Sequence, residues 1–129
     1  MVGIVIVSHS KKLAESILEM TKVMAPNASV CAAGGLDDGS FGTSYEKIKN
    51  AIETVYSPDG VVILMDLGSA VMTTEMVLEE YESDKVVMAD APVVEGAIIA
   101  TVYAEQEKSL AEILVELQNV RSTPKFTCD

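Results

Sequence analysis

The chain has 129 residues, of which 49% are hydrophobic and 22% charged, with 20 acidic side chains against 9 Lys and Arg. This composition fits one globular domain and excludes a disordered tail, a collagen-like fibre and a small disulfide scaffold. The net charge of -11 disfavours nucleic acid and anionic membranes as partners, and no apolar run reaches the roughly 18–20 residues of a membrane span. The apolar N-terminus lacks a basic stretch and a cleavage site, so we expect a strand there and a cytoplasmic protein.

Cysteine and metal chemistry are not indicated by the sequence. The two cysteines, Cys31 and Cys128, are far apart and match no metal-binding or redox spacing. Cys31 lies in an apolar run, which predicts a buried thiol. No set of His, Cys and carboxylate residues has the spacing of metal ligands, so we predict no metal site.

Four short apolar runs predict strands at residues 4–7, 30–33, 61–65 and 86–89. None alternates apolar with polar residues, and continuous β-branched runs are typical of parallel strands buried on both faces. Between the runs, apolar residues recur at helical spacing. The sets that share one helix face are Leu13, Ile17, Met20 and Met24; Tyr45, Ile48, Ile52 and Val55; Val94, Ile98 and Val102; and Leu110, Ile113, Leu114 and Leu117.

Helix starts are predicted where capping or first-turn residues precede these patterns. They are Thr43 with Glu46, Ser69, Pro92, and Ser109 with Glu112. The resulting order βαβαβαβα, followed by an extra C-terminal helix, predicts an α/β fold with a parallel sheet between two helix layers. We assign residues 1–129 to one domain and expect an irregular tail over residues 119–129.

Ligands of open α/β sheets bind beyond the carboxyl ends of the strands. Residues 8–10, 34–44, 66–70 and 90–92 fall at that edge, and they include the single histidine of the chain, His9. If the first and third strands are neighbours, Asp66 lies beside His9. A carboxylate that accepts from one imidazole nitrogen fixes the tautomer and leaves the other nitrogen as a nucleophile. His9 and Asp66 are therefore the candidate catalytic pair.

Other interpretations of this pair stay open at this point. His9 is also compatible with a surface or helix-capping role, and Asp66 with a favourable charge near the dipole of the third helix. An aspartate after a third parallel strand is also found in receiver domains, where it takes a phosphoryl group itself. Those domains need an acidic cluster after the first strand, where this chain has Ser8, His9 and Ser10.

Two loops at the same edge supply candidate binding residues. In the glycine-rich loop, small residues allow close approach of a phosphate or a partner, although they also simply make turns. The candidates there are Gly35, Asp38, Gly39, Gly42 and Thr43. Gly68 and Ser69 open a helix whose free amides suit an anion. Met72, one turn before Met76, is either a docking residue or core filler.

Several enzyme classes are disfavoured by missing motifs. Neither loop matches a P-loop or a G-x-G-x-x-G fingerprint, which argues against a self-contained nucleotide kinase. The chain also lacks the G-x-S-x-G elbow of a hydrolase.

Four segments together resemble one known family. They are residues 4–10, residues 34–44, residues 65–70 and residues 90–97. In this order they are similar to the phosphotransferase subunit of the phosphoenolpyruvate-dependent dihydroxyacetone kinase, a relative of the mannose-type IIA domain of the bacterial sugar phosphotransferase system. The resemblance extends to about residue 118.

The resemblance implies a mechanism and a fold. His9 accepts a phosphoryl group from a histidine phosphocarrier protein, on the ring nitrogen remote from the backbone, and Asp66 hydrogen-bonds it. The group then passes to ADP held on the ADP-binding subunit of the kinase, so this chain binds no cofactor itself. The resemblance also implies the strand order 2-1-3-4 and a homodimer. We predict that backbone amides of Ser10, Gly68 and Ser69 lie near the phosphoryl oxygens.

A mannose-type sugar transporter, in which the phosphate passes to a IIB domain, is the main alternative. Its domains carry a tryptophan and paired glycines after the aspartate, whereas this chain has Leu67, Gly68 and Ser69 there and no Trp. This departure favours the dihydroxyacetone branch. A non-catalytic binding module is a third interpretation, and it predicts no covalent phosphate.

Overall fold

The computed structural model describes residues 1–127, so Cys128 and Asp129 lie outside the described residues. The elements follow one another in the predicted order. The strands are β1 (Gly3–Ser8), β2 (Val30–Gly34), β3 (Val61–Met65) and β4 (Val86–Met88). The helices are α1 (Lys11–Met24), α2 (Tyr45–Val55), α3 (Ser69–Leu78), α4 (Val93–Glu105) and α5 (Leu110–Ser122). No helix within residues 1–127 is long and apolar enough to cross a membrane.

The four strands form one parallel sheet in the order β2-β1-β3-β4. This confirms the predicted class and strand order. β1 and β3 are neighbours in register, with Val7 opposite Met65. β1 and β3 therefore end next to each other at the carboxyl edge of the sheet, which is the condition for His9 and Asp66 to meet.

The core lies in two layers, one on each face of the sheet. Val5 and Val7 of β1 face the cluster formed with α2 and α3, whereas Ile4 and Ile6 face clusters formed with α1, α4 and α5. Apolar side chains of β1 are thus needed on both faces, which explains its unbroken apolar run.

The predicted apolar face of α2 is confirmed, but that of α1 is confirmed only at Ile17. Leu13, Met20 and Met24 are exposed, and α1 is buried through Ala14, Ile17 and Thr21. The reason is close packing, because a Cβ at Gly34 would lie only 2.8 Å from the Ala14 Cβ. Only small side chains fit at this contact between α1 and β2.

Of the four predicted helix starts, one agrees with the structure and three differ by one residue. At α4, Pro92 is the N-cap and lies just before the first helical residue. Ser109 and Glu112 form the predicted capping box of α5. The N-cap of α2 is Ser44 rather than Thr43, and its side chain accepts from the Lys47 amide. The N-cap of α3 is Gly68, and Ser69 is the first helical residue. The shifts at α2 and α3 leave the Thr43 and Ser69 hydroxyls available to the site described below.

The prediction of an irregular tail from residue 119 is wrong for its first four residues. α5 continues to Ser122, since Val120 extends the apolar spacing of Ile113 and Leu117. The helix ends where Pro124 disfavours helical backbone at the residue before it.

Candidate active site

His9 and Asp66 occupy equivalent places on neighbouring strands. His9 directly follows β1, and Asp66 directly follows β3. The His9 Nδ1 atom lies 3.0 Å from Asp66 Oδ1, and the two side chains are 28% and 14% exposed. The Asp66 amide donates to the Val7 carbonyl over 3.1 Å, which continues the β1–β3 ladder to the site. The sheet register itself therefore brings the pair together.

The Asp66 carboxylate is surrounded by hydrogen-bond donors. Oδ1 accepts from His9 Nδ1 and from the Leu67 amide over 2.7 Å, and Oδ2 accepts from the His9 amide over 3.0 Å and Ser8 Oγ over 2.9 Å. Burial raises the pKa of Asp66, but the backbone bonds from His9 and Leu67 and the side-chain bonds from Ser8 and His9 outweigh it, so the pKa lies below its ordinary value. Asp66 is an ionised acceptor at neutral pH.

An ionised acceptor decides which nitrogen of the neutral imidazole carries the proton. Asp66 has no proton to give, so Nδ1 of His9 must carry the hydrogen of their shared bond. Nε2 then holds the free lone pair of the ring. The nucleophilic nitrogen is the one remote from the backbone, and it lies on the more exposed side of the pair.

Two hydroxyls occupy the Nε2 side of the ring. Ser69 Oγ lies 2.6 Å from His9 Nε2, and Thr43 Oγ1 lies 2.7 Å from Ser69 Oγ. They come from different elements, because Ser69 opens α3 and Thr43 lies in the loop before α2. Both were predicted as N-caps, but the N-caps in the structure are their preceding or following neighbours, Gly68 for α3 and Ser44 for α2.

The start of α3 offers unpaired backbone donors beside this nitrogen. Within residues 1–127, the amides of Gly68 and Ser69 have no hydrogen-bond acceptor, and the N-cap Gly68 supplies no side-chain cap. Gly68 has φ 50° and ψ -113°, a conformation that side-chain-bearing residues rarely adopt. Free amides at a helix N-terminus favour an anionic group.

Ser10 has a different place from the predicted one. Its amide donates to Ser8 Oγ over 3.0 Å, and its side chain caps α1 by accepting from the Leu13 amide over 3.2 Å. The prediction that this amide contacts a phosphoryl group is not supported, because the amide already has an acceptor.

The glycine-rich loop contacts the site through its two ends and not through its tip. The Gly35 amide donates to the Ser8 carbonyl over 3.1 Å, and the Gly42 amide donates to the His9 carbonyl over 3.0 Å. Asp38 binds the amide and hydroxyl of Ser40, and it lies with Gly39 at the exposed tip. Only the flanking glycines and Thr43 are therefore tied to the catalytic segment.

The remaining predicted residues lie at the rim or away from the histidine. Met72 is 68% exposed on α3, which leaves it accessible to a partner. Asp90, after β4, forms an ion pair with Arg121 of α5 at 3.3 Å.

Ser8 is a site residue to which the sequence analysis gave no role. Its side chain is fully buried, donates to Asp66 and accepts from the Ser10 amide. A polar residue ending an otherwise apolar strand could have indicated this role, because a buried hydroxyl needs partners.

A family model described as the PTS system fructose IIA component matches residues 3–114 of the chain. The chain belongs to this family. This match confirms the resemblance to IIA domains found in the sequence, and it includes every element from β1 through α4 and the first turn of α5.

Curated relatives carry one consistent description. The chain is 36% identical over 118 residues to "PEP-dependent dihydroxyacetone kinase 1, phosphoryl donor subunit DhaM" of Listeria innocua serovar 6a, covering 92% of this chain and 94% of the relative. It is also 36% identical over 123 residues to the DhaM subunit of Escherichia coli strain K12, covering 90% of this chain but only 26% of that protein. The family domain is thus most of one relative and about a quarter of the other.

Solved structures with the same fold include one clear relative. The crystal structure of unknown function protein EF1359 aligns with a TM-score of 0.82 at 30% identity, over 98% of this chain and all of that one. A sigma-54 interaction domain protein from Enterococcus faecalis aligns with a TM-score of 0.68 at 20% identity, over 92% and 88% of the two chains, and shows the fold alone.

Proposed function

We propose that the chain is a phosphoryl carrier that is phosphorylated on His9 Nε2 by a histidine phosphocarrier protein. The observation that carries this proposal is the imidazole with Nδ1 bound to an ionised carboxylate and Nε2 at the surface. The relatives named as phosphoryl donor subunits support the same chemistry. The chain then acts as the donor subunit of a phosphoenolpyruvate-dependent dihydroxyacetone kinase.

The transfer to this chain is a substitution at phosphorus. The Nε2 lone pair of His9 attacks the phosphorus atom, the phosphorus–nitrogen bond of the carrier breaks, and the electron pair returns to the carrier's imidazole. Nδ1 keeps its proton, so the phosphorylated ring is positive and Asp66 stabilises that charge. The amides of Gly68 and Ser69 are the proposed phosphoryl ligands, and they would serve the loose transition state mainly by positioning and charge.

In the second transfer this chain is the phosphoryl donor. A terminal phosphate oxygen of ADP, held on the ADP-binding subunit of the kinase, attacks the phosphorus atom and the Nε2–phosphorus bond breaks. The lone pair returns to Nε2, and the ATP formed on the partner phosphorylates dihydroxyacetone. In this proposal ADP is held only by the partner subunit. The homodimer also stays a prediction, which sedimentation equilibrium can check.

Intact-mass analysis tests the first transfer. After incubation with phosphoenolpyruvate and the two general transfer proteins, the wild-type chain should gain the mass of one phosphoryl group, and the His9→Ala variant should gain none. Label that persists in the variant would refute His9 as the acceptor. The label should also survive alkali and be lost in acid, whereas an acyl phosphate on Asp66, as in a receiver domain, is lost in both. Absence of any label would favour a non-catalytic binding module.

The description of the family model favours one alternative acceptor. If the chain serves a sugar transporter, its phosphate passes to a IIB domain rather than to ADP. Mixing the labelled chain with each candidate acceptor separates the two functions. Loss of label only with the ADP-loaded kinase subunit supports our proposal, and loss only with a IIB domain contradicts it.

A further inference from the structure

The direction of the hydrogen bonds on the Nε2 side follows from the Asp66 contact. In the neutral ring, Nε2 has a lone pair and no proton, so the Ser69 hydroxyl must donate to it over 2.6 Å. The Ser69 oxygen then has no second proton to give. In its 2.7 Å contact with Thr43, Ser69 is therefore the acceptor and Thr43 the donor.

We propose that Thr43 is a positioning residue that aims the Ser69 hydroxyl proton at the reacting nitrogen. Ser69 is exposed at the first position of α3, where a lone serine hydroxyl is free to rotate. The Thr43 donor holds one lone pair of Ser69 Oγ, which leaves the Ser69 proton directed to Nε2. The effect of Thr43 on phosphoryl transfer rests on the proposed function, whereas its effect on the unphosphorylated ring does not.

The backbone around Thr43 is arranged to keep its hydroxyl at this place. On one side, the Gly42 amide donates to the His9 carbonyl over 3.0 Å, which fixes the loop to the segment that carries the ring. On the other side, Ser44 takes the capping role of α2, so the Thr43 side chain is not consumed there. Thr43 is thus held between two anchored neighbours with its hydroxyl available.

The same pair acquires a second task when the ring is phosphorylated. Nε2 then has no lone pair, so the Ser69 proton is released from it and becomes available to a phosphoryl oxygen. Because the phosphorus atom takes the place along the Nε2 lone pair that Ser69 Oγ occupies in the resting ring, the Ser69 side chain must turn aside as the group arrives, with Thr43 as its donor. The hydroxyl pair therefore changes its acceptor from Nε2 to a phosphoryl oxygen during the reaction.

Nitrogen NMR tests the resting arrangement without any partner protein. His9 is the single histidine of the chain, so ¹⁵N-histidine labelling reports on this ring alone. At a pH where the ring is neutral, we expect Nδ1 of the wild type to be protonated. In Thr43→Val the Nε2 resonance should move toward its non-hydrogen-bonded position, and in Thr43→Ser it should return to the wild-type position. A neutral wild-type ring protonated at Nε2 would overturn the proposal, even if the Thr43→Val variant does not fold.

A double-mutant cycle tests the effect on transfer. We expect Thr43→Val to slow single-turnover phosphorylation of His9 about threefold to tenfold, the factor of one neutral hydrogen bond. Thr43→Ser should restore the rate. In a Ser69→Ala background, Thr43→Val should have almost no further effect, because Thr43 acts through Ser69.

The matched control is Thr54→Val on α2, whose hydroxyl binds the Asn50 carbonyl over 2.8 Å far from the ring. This variant should keep both the Nε2 resonance and the rate of the wild type. An equal effect of Thr43→Val with and without Ser69 would overturn the proposal, as would an unchanged resonance together with an unchanged rate. If His9 is never phosphorylated, the proposed function fails while the NMR result still decides the role of Thr43.

Discussion

The two sides of the His9 ring are built in different ways. On the Nδ1 side, Asp66 is mostly buried and bound by four donors, two of which are backbone amides. On the Nε2 side, the side-chain contacts are made by the hydroxyls of Ser69 and Thr43, which come from a helix start and a loop. The comparison indicates that one side fixes the protonation of the ring, whereas the other must be vacated each time a phosphoryl group arrives.

Asp66→Asn, which changes the Nδ1 side, should cause the largest effect, a loss in the rate of His9 phosphorylation. With its NH₂ group on the Oδ1 side, the new amide faces the Leu67 amide and donates to Nδ1, which moves the ring proton to Nε2 and removes the nucleophile. With the NH₂ on the Oδ2 side, the new amide faces the His9 amide, which is also a donor. Either placement therefore sets two donors against each other. We expect a loss of roughly 10²–10⁴-fold in the rate of His9 phosphorylation, measured in a single turnover. A rate within about threefold of the wild type would remove Asp66 from the mechanism.

Gly68→Ala should have an intermediate effect, through the Nε2 side alone. No atom lies within 4 Å of the added Cβ, so the cost comes from the φ of 50° rather than from a clash. We expect about 1–3 kcal/mol lower stability, measured by urea unfolding, or a relaxed start of α3. If α3 relaxes, Ser69 moves from the ring, and the Nε2 resonance should change while the Nδ1 resonance does not. A simultaneous change at both nitrogens would contradict the separation of the two sides.

Acid titration of stability should show the smallest effect. Because the pKa of Asp66 is lowered in the folded protein, its carboxylate stabilises the fold above its ordinary pKa of about 3.9, and this contribution is lost as the pH falls through the folded-state value. The difference in unfolding free energy between the wild type and Asp66→Asn should therefore shrink in acid.

Asp37→Asn, which removes a charge from an exposed side chain, controls for net charge in that titration. A difference between the wild type and Asp66→Asn that stays constant down to the acid limb would mean that the carboxylate is not preferentially stabilised in the folded state.

The sequence predicted the Nδ1 side better than the Nε2 side, for a physical reason. Asp66 and His9 meet because β1 and β3 pair in register. Composition predicts buried parallel strands, and the strand order that makes these two neighbours was implied by the resemblance. The hydroxyl side depends on which residue caps α2 and α3. Thr43 and Ser44 are both good N-cap residues, so the sequence does not select between them. In the structure Ser44 caps α2, while the adjoining Gly42 is bonded to the His9 carbonyl.

The wrong face of α1 has a similar origin in tertiary packing. The apolar stripe of α1 was assigned from spacing alone, whereas Gly34 brings the helix so close to β2 that Ala14 is buried and Met20 is not. The end of α5 at Ser122 instead follows from local signals that the sequence carries, namely Pro124 and one more apolar turn. Spacing indicates that a helix exists, but the closeness of its neighbour selects the residues it buries.

The Asp66 contacts also have a consequence for how recognition can diversify. The groups that hold Asp66 belong to Ser8, His9 and Leu67, which end or closely follow the two central strands β1 and β3. The tip of the glycine-rich loop and the exposed face of α3 make none of these bonds. Grafting a new loop or a new α3 surface onto this sheet could therefore retarget the chain to a differently shaped acceptor while its nucleophile is left intact.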